Sequence, residues 1–144
     1  MYSFLAMLAM SVFFQKKFVD KAVEPYYNSY MKQVELRCKP NQYNYHPFKI
    51  NIVFDDLEYP TLAYCGMSML GSYEIHFDRK FWDKSTHQDR RTISYHEFSH
   101  CTFWEDHSKD PNNFMYKYFI TLTDGELDKQ FNDYLTYKCM ENKK

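Results

Sequence analysis

The feature that most constrains this chain is a long helical pattern, from about Thr86 to Phe103, that contains His96-Glu97-Phe98-Ser99-His100. Ser85 reads as its cap, with Gln88 three residues on completing a capping-box pattern. Residues i and i+4 lie one above the other on a helix, so both imidazoles can reach one metal ion. Glu97 is offset from that pair and can face a water on the open side of the metal. With 6 His and 8 Glu in 144 residues, this pattern arises by chance in about one such chain in a hundred. The bland alternative, a polar helix face carrying two unconnected histidines, is therefore the weaker reading.

His107 follows in the segment just after this helix. A third imidazole placed after a helix-ending turn completes a three-ligand set with an open fourth position. That open position is what separates a catalytic zinc from a closed structural one. Three imidazoles also suit other transition ions, since affinity alone does not exclude nickel or copper.

The stretch His107-Ser108-Lys109-Asp110-Pro111-Asn112-Asn113-Phe114-Met115-Tyr116 resembles the one that follows the third zinc histidine of matrixins, the matrix-metalloproteinase branch of the metzincins. There a His-Ser start, an Asp-Pro loop and a Met-Tyr turn stand in the same register, and Met115 matches the Met-turn methionine. Leu62-Ala63-Tyr64 and Gly71-Ser72-Tyr73-Glu74-Ile75-His76-Phe77-Asp78 resemble the strands before the active-site helix of that family. The likeness covers about Leu62 to Tyr116.

This resemblance implies a zinc-dependent endopeptidase with one catalytic Zn2+ held by His96, His100 and His107. Glu97 would act as general base on a metal-activated water. A peptide or protein substrate would lie along a sheet edge, for which Leu62 to Met67 is the candidate, and Phe114 to Phe119 would line an apolar specificity pocket. The chain also departs from the family. The metzincin pattern H-E-x-x-H-x-x-G-x-x-H lacks its glycine here, and one extra residue separates His100 from His107. Thr102, Phe103 and Trp104 must make the turn, for which one extra helical residue is a means. Family spacing would place the third ligand at Asp106; the register of the following loop favours His107 and leaves Asp106 to support a ligand. His76 and Asp78 match parts of the family's structural-metal sites, but Tyr64 stands where one histidine would be. No structural zinc is expected, and His76 reads as an ordinary strand histidine.

Residues 16–144 read as one α+β domain, which the resemblance implies is a minimal metzincin-like (zincin) domain. A small twisted mixed sheet would pack on the active-site helix, with helices near both ends. Phe18 to Arg37 has helical spacing, with a fresh turn possible at Pro25. Phe48 to Phe54, Leu62 to Met67 and Tyr73 to Phe77 carry strand signals. Phe114 to Thr121 reads as a turn followed by a short strand or helix. Thr123 or Asp124 caps a last helix reaching about Met140.

Charge and composition exclude other classes. A net charge of −1 with dispersed cations leaves no footprint for nucleic acid. The pairs Lys16-Lys17 and Arg90-Arg91 read as solvated helix faces. Cys38, Cys65, Cys101 and Cys139 contain no CxxC pair and allow either two disulfides, in one of three pairings, or free thiols. Cys38, in Leu36-Arg37-Cys38-Lys39-Pro40, reads as structural rather than as a thiolate capping the metal. Residues 1–15 form an apolar segment that fits a signal, an anchor or a buried helix. Met1 to Phe14 would then give membrane association, and a secreted, periplasmic or membrane-associated location is slightly favoured. The competing function is a non-catalytic zinc-binding structural or interaction protein of the same fold within a larger assembly; Glu97 argues against it, because metal binding does not require that residue.

Overall fold

The computed structural model describes residues 18–43, 50–69 and 71–141. The apolar start and the Lys16-Lys17 pair lie outside these residues. Among the described residues no helix is long and apolar enough to cross a membrane.

A mixed four-stranded sheet is built from β1 (Phe18–Val19), β2 (Ile50–Asp55), β3 (Ala63–Met67) and β4 (Tyr73–Asp78) in the order β1-β2-β4-β3. Pairings β1–β2 and β2–β4 are parallel, and β3 runs antiparallel to β4 at the sheet edge. Tyr73, Ile75 and Phe77 of β4 are buried while Glu74 and His76 are half-buried, the period of two that marked it as a strand. Gly71, at φ 76°, makes the turn between β3 and β4, with its N–H on the Ser68 carbonyl.

The described residues also form four α-helices: α1 (Glu24–Arg37), α2 (Arg79–Lys84), α3 (His87–Phe103) and α4 (Asp124–Thr136), the last followed by a π turn at Tyr137–Glu141. Tyr27, Tyr30, Met31 and Val34 bury one stripe of α1, and Leu127, Phe131 and Leu135 bury one stripe of α4. The α+β class and the small mixed sheet agree with the sequence reading.

Four local expectations are corrected. The helix expected from Phe18 begins at Glu24, because Phe18 and Val19 pair with Asn51 and Ile52 and Pro25 occupies the first helical turn. Ser85 does not cap α3. It ends α2, donating its hydroxyl to the Phe81 carbonyl at 2.7 Å. Thr86 is the cap, in a reciprocal capping box with Asp89. Phe114 to Thr121 forms turns and loop rather than a strand or helix. Arg90 and Arg91 are not a solvated face: Arg91 pairs with Asp124 at 2.8 Å and with Asp128, and Arg90 Nε donates to the Trp82 carbonyl at 3.0 Å.

The high aromatic content is spent on the core. Tyr30, Trp82, Tyr95, Phe77, Phe98 and Phe131 are almost wholly buried. They meet edge to face, as in Tyr30–Tyr95 at 5.3 Å and Tyr30–Phe98 at 5.2 Å. Their polar tips are satisfied between α1 and α3: the Tyr30 hydroxyl meets Ser99 Oγ at 3.2 Å, and Gln33 Nε2 donates to the Tyr95 hydroxyl at 2.9 Å.

Both pairs of cysteines are disulfides. Cys38–Cys139 ties the end of α1 to the final turn, and Cys65–Cys101 ties edge strand β3 to α3. The free-thiol alternative falls away, and Cys38 is structural. With β3 outermost and α3 packed beside it, the open edge of the sheet runs past the C-terminal half of α3.

Candidate metal centre

Helix α3 places His96 and His100 one turn apart, with ring centroids 4.6 Å from each other. The helix continues through Phe103, and Trp104 then takes a left-handed conformation, φ 53° and ψ 39°. A left-handed residue reverses the chain out of a helix and is usually glycine; a side chain there costs about 1–2 kcal/mol. The chain thus leaves the helix through a strained non-glycine residue, Trp104, whose ring packs on Tyr73 at 5.6 Å. The reversal brings the His107 ring to 5.2 Å from His96 and 4.8 Å from His100. One ring nitrogen from each of the three residues lies within 4.8 Å of the others. Asp106 is exposed and not part of this group; its charge acts on His100 from nearby and favours the protonated ring.

Backbone contacts decide which nitrogens converge. His96 Nδ1 meets the Phe114 carbonyl at 2.8 Å, and His100 Nδ1 meets the Glu105 carbonyl. A carbonyl only accepts, so both Nδ1 atoms carry the proton and donate it. Both Nε2 atoms are then bare lone pairs, and they face each other at 3.0 Å. Two lone pairs at that distance repel unless positive charge stands between them. Four-coordinate zinc, with Zn–N bonds of about 2.0–2.1 Å, sets its ligand nitrogens roughly 3.4 Å apart, close to this spacing. Burial lowers the His96 pKa to about 4, the neighbouring imidazoles adding to the effect against the Phe114 carbonyl. Burial also lowers His100. Neutral imidazole is the form that binds a metal.

The turn from Asn113 to Tyr116 braces this arrangement. Asn113 Oδ1 accepts from the Met115 N–H at 2.8 Å, and Gln130 of α4 accepts from the Phe114 N–H at 2.8 Å. The Met115 carbonyl accepts from the Ser108 N–H at 2.8 Å, beside His107. One short turn thus orients His96 through Phe114 and anchors the His107 segment through Met115, whose own side chain is buried. The Phe114 and Glu105 carbonyls, which fix the two rings, were not singled out from the sequence, because a backbone carbonyl carries no side-chain signal.

Glu97 points to the other side, toward β3. It is 6% exposed, and the Cys65 amide lies against its carboxylate. Burial pushes its pKa up to about 8 against the pull of that amide. Two clefts meet at Glu97, His107 and Ala63. One, of about 330 Å³, is walled by Leu62, Ile93, Phe114, Tyr118 and Phe119. The second, of about 520 Å³, is walled by Tyr64, Met67, Tyr73, Trp104 and Asp106. The strand expected at Leu62 to Met67 is β3, and it is the outermost strand, running along both clefts. His76 lies on β4, stacked on Tyr64 at 4.7 Å and hydrogen-bonded to Asp55.

Comparison with models of known protein families finds no match, and comparison with curated proteins finds no relative.

Proposed function

We propose that this chain is a zinc-dependent endopeptidase of metzincin type, most similar to the matrixins, with His96, His100 and His107 as the metal ligands. The observation that supports it most is the pair of Nε2 lone pairs of His96 and His100 facing each other at 3.0 Å, with both Nδ1 atoms committed to carbonyls. An edge strand beside a three-histidine centre, and an antiparallel pairing that leaves that edge open, also fit the reading. Two disulfides suit an oxidising compartment, as for a secreted or periplasmic enzyme.

Bound zinc supplies Lewis acidity toward a peptide carbonyl and acidifies a water molecule. Three imidazoles leave a position open for both roles. Glu97 moves the proton: its carboxylate would take one from the attacking water as the water oxygen bonds to the peptide carbonyl carbon, and would pass it to the amine nitrogen as the C–N bond breaks. Its burial keeps competing water away from that transfer, and the Cys65 amide keeps the carboxylate aimed. The edge-facing N–H and C=O groups of β3, other than the Cys65 amide, bind the substrate as an added strand. The cleft walled by Leu62, Ile93, Phe114 and Phe119 takes an apolar side chain.

The test is metal analysis and peptide-library digestion of the purified protein beside Glu97→Gln. One zinc per chain in both, with hydrolysis in the parent and a loss of several orders of magnitude in the variant, supports the proposal. Zinc without cleavage of any peptide in the library would leave a metal-binding structural or interaction protein.

A further inference from the structure

Helix α3 carries two i,i+4 pairs offset by one residue. His96 and His100 form the metal-facing pair. Glu97 and Cys101 form the second, and both of its members reach the same residue of the edge strand: Cys101 is bonded to Cys65 through sulfur, and the Glu97 carboxylate lies against the Cys65 amide. The Cα atoms of Cys65 and Cys101 are 5.8 Å apart, and Cys101 is 3% exposed. Strand β3 has a sheet neighbour on one side only, β4, with Cys65 opposite Ile75. On its other side the described structure offers no strand, so the covalent tie to α3 fixes how closely β3 approaches the helix.

We infer that the Cys65–Cys101 disulfide is a positioning element of this site: it holds the Cys65 amide on the Glu97 carboxylate and sets the edge strand against the metal ligands. The bridge joins the residue beside His100 to the residue whose amide aims Glu97, and Cys65 also walls the larger cleft. A bridge serving stability alone has no need to end at that amide. Cys38–Cys139 provides the contrast, since neither of its cysteines lines either of these two clefts. The catalytic consequence rests on the endopeptidase reading above; the structural consequence does not.

The experiment is amide hydrogen exchange at residue 65, followed by NMR, together with zinc content, kcat and KM, in the parent and in Cys65→Ala/Cys101→Ala. The residue 65 amide exchanges at least about 100-fold faster in the variant, while the amides of Ile75 and Phe77 keep their protection. Zinc stays bound, kcat falls about 10- to 100-fold, the scale of a misplacement of roughly 1 Å, and KM changes by less than about threefold. Unchanged exchange at residue 65, or zinc lost from the variant, overturns the inference. If the parent cleaves nothing, the endopeptidase reading fails and the exchange result alone decides this one. If the double variant does not fold, Cys38→Ala/Cys139→Ala isolates the remaining bridge. Its reduction must then release the residue 65 amide and its reoxidation must restore it; an amide indifferent to both overturns the proposal.

Discussion

Lys138 reaches the three-histidine cluster through Glu105: it pairs with the Glu105 carboxylate, while the Glu105 carbonyl accepts the Nδ1 proton of His100. Tyr134 adds a hydrogen bond from its hydroxyl to the same carboxylate at 3.0 Å. The end of the chain, from α4 into its final turn, therefore holds the loop that orients the second imidazole. Partners of this kind outside the ligand set typically contribute 10- to 100-fold to metal affinity. Lys138→Met is expected to weaken zinc binding about tenfold, measured by competition with a chromophoric chelator. Lys129→Met, which removes only an exposed pair with Asp133, should leave affinity unchanged.

The third ligand separates by mutation. His107→Ala should reduce bound zinc to a small fraction of one per chain, because it removes one of three converging nitrogens. Asp106→Ala should keep the metal, since its carboxylate stands outside that group. Elemental analysis of the two purified variants checks this, and metal lost from Asp106→Ala alone would reverse the assignment.

Metal-free protein should lose stability between about pH 6.5 and pH 8. Buried Glu97 has its pKa raised from 4.5 to about 8, so in that window the folded state keeps a proton that the unfolded chain has released. Stability then falls as pH rises from 4.5 to 8. His96 acts oppositely: burial lowers it from 6.5 to about 4, so the unfolded chain binds the extra proton and stability rises with pH across 4 to 6.5. Lowered His100 works in the same direction as His96. Below 6.5 the histidines offset Glu97, and above it Glu97 acts alone. Thermal melts of the metal-free protein should show this decline, and Glu97→Gln should abolish it. Saturating zinc should flatten it too, because a nearby cation favours the ionised carboxylate.

Cys38–Cys139 spans 101 residues and Cys65–Cys101 spans 36. Closing the longer loop removes more freedom from the unfolded chain, by about 1 kcal/mol in the chain-entropy model. Cys38→Ala/Cys139→Ala is expected to cost about 2–5 kcal/mol, read from urea unfolding. A loss well under 1 kcal/mol would show that the bridge only ratifies contacts already made between α1 and the final turn.

Spacing along a single element was legible without coordinates. The i,i+4 placement of His96 and His100 follows from helical geometry alone, and alternation identified β2 and β4. The two residues of β1 and the six of α2 were too short to establish a period. The start of α3 was misplaced by one residue because Ser85 and Thr86 are both good caps, and only the end of α2 assigns Ser85 elsewhere.

Convergence between elements was decided by packing. Sequence order left three disulfide pairings open; the meeting of α1 with the final turn, and of β3 with α3, selected one. The carbonyls of Phe114 and Glu105 and the amide of Cys65 orient His96, His100 and Glu97, and these groups are the same in every residue. Side-chain identity sets local torsions and periodicity, so it placed His96 and His100 along their helix. Where a backbone dipole points depends on how distant segments close over one another, and that belongs to the tertiary structure.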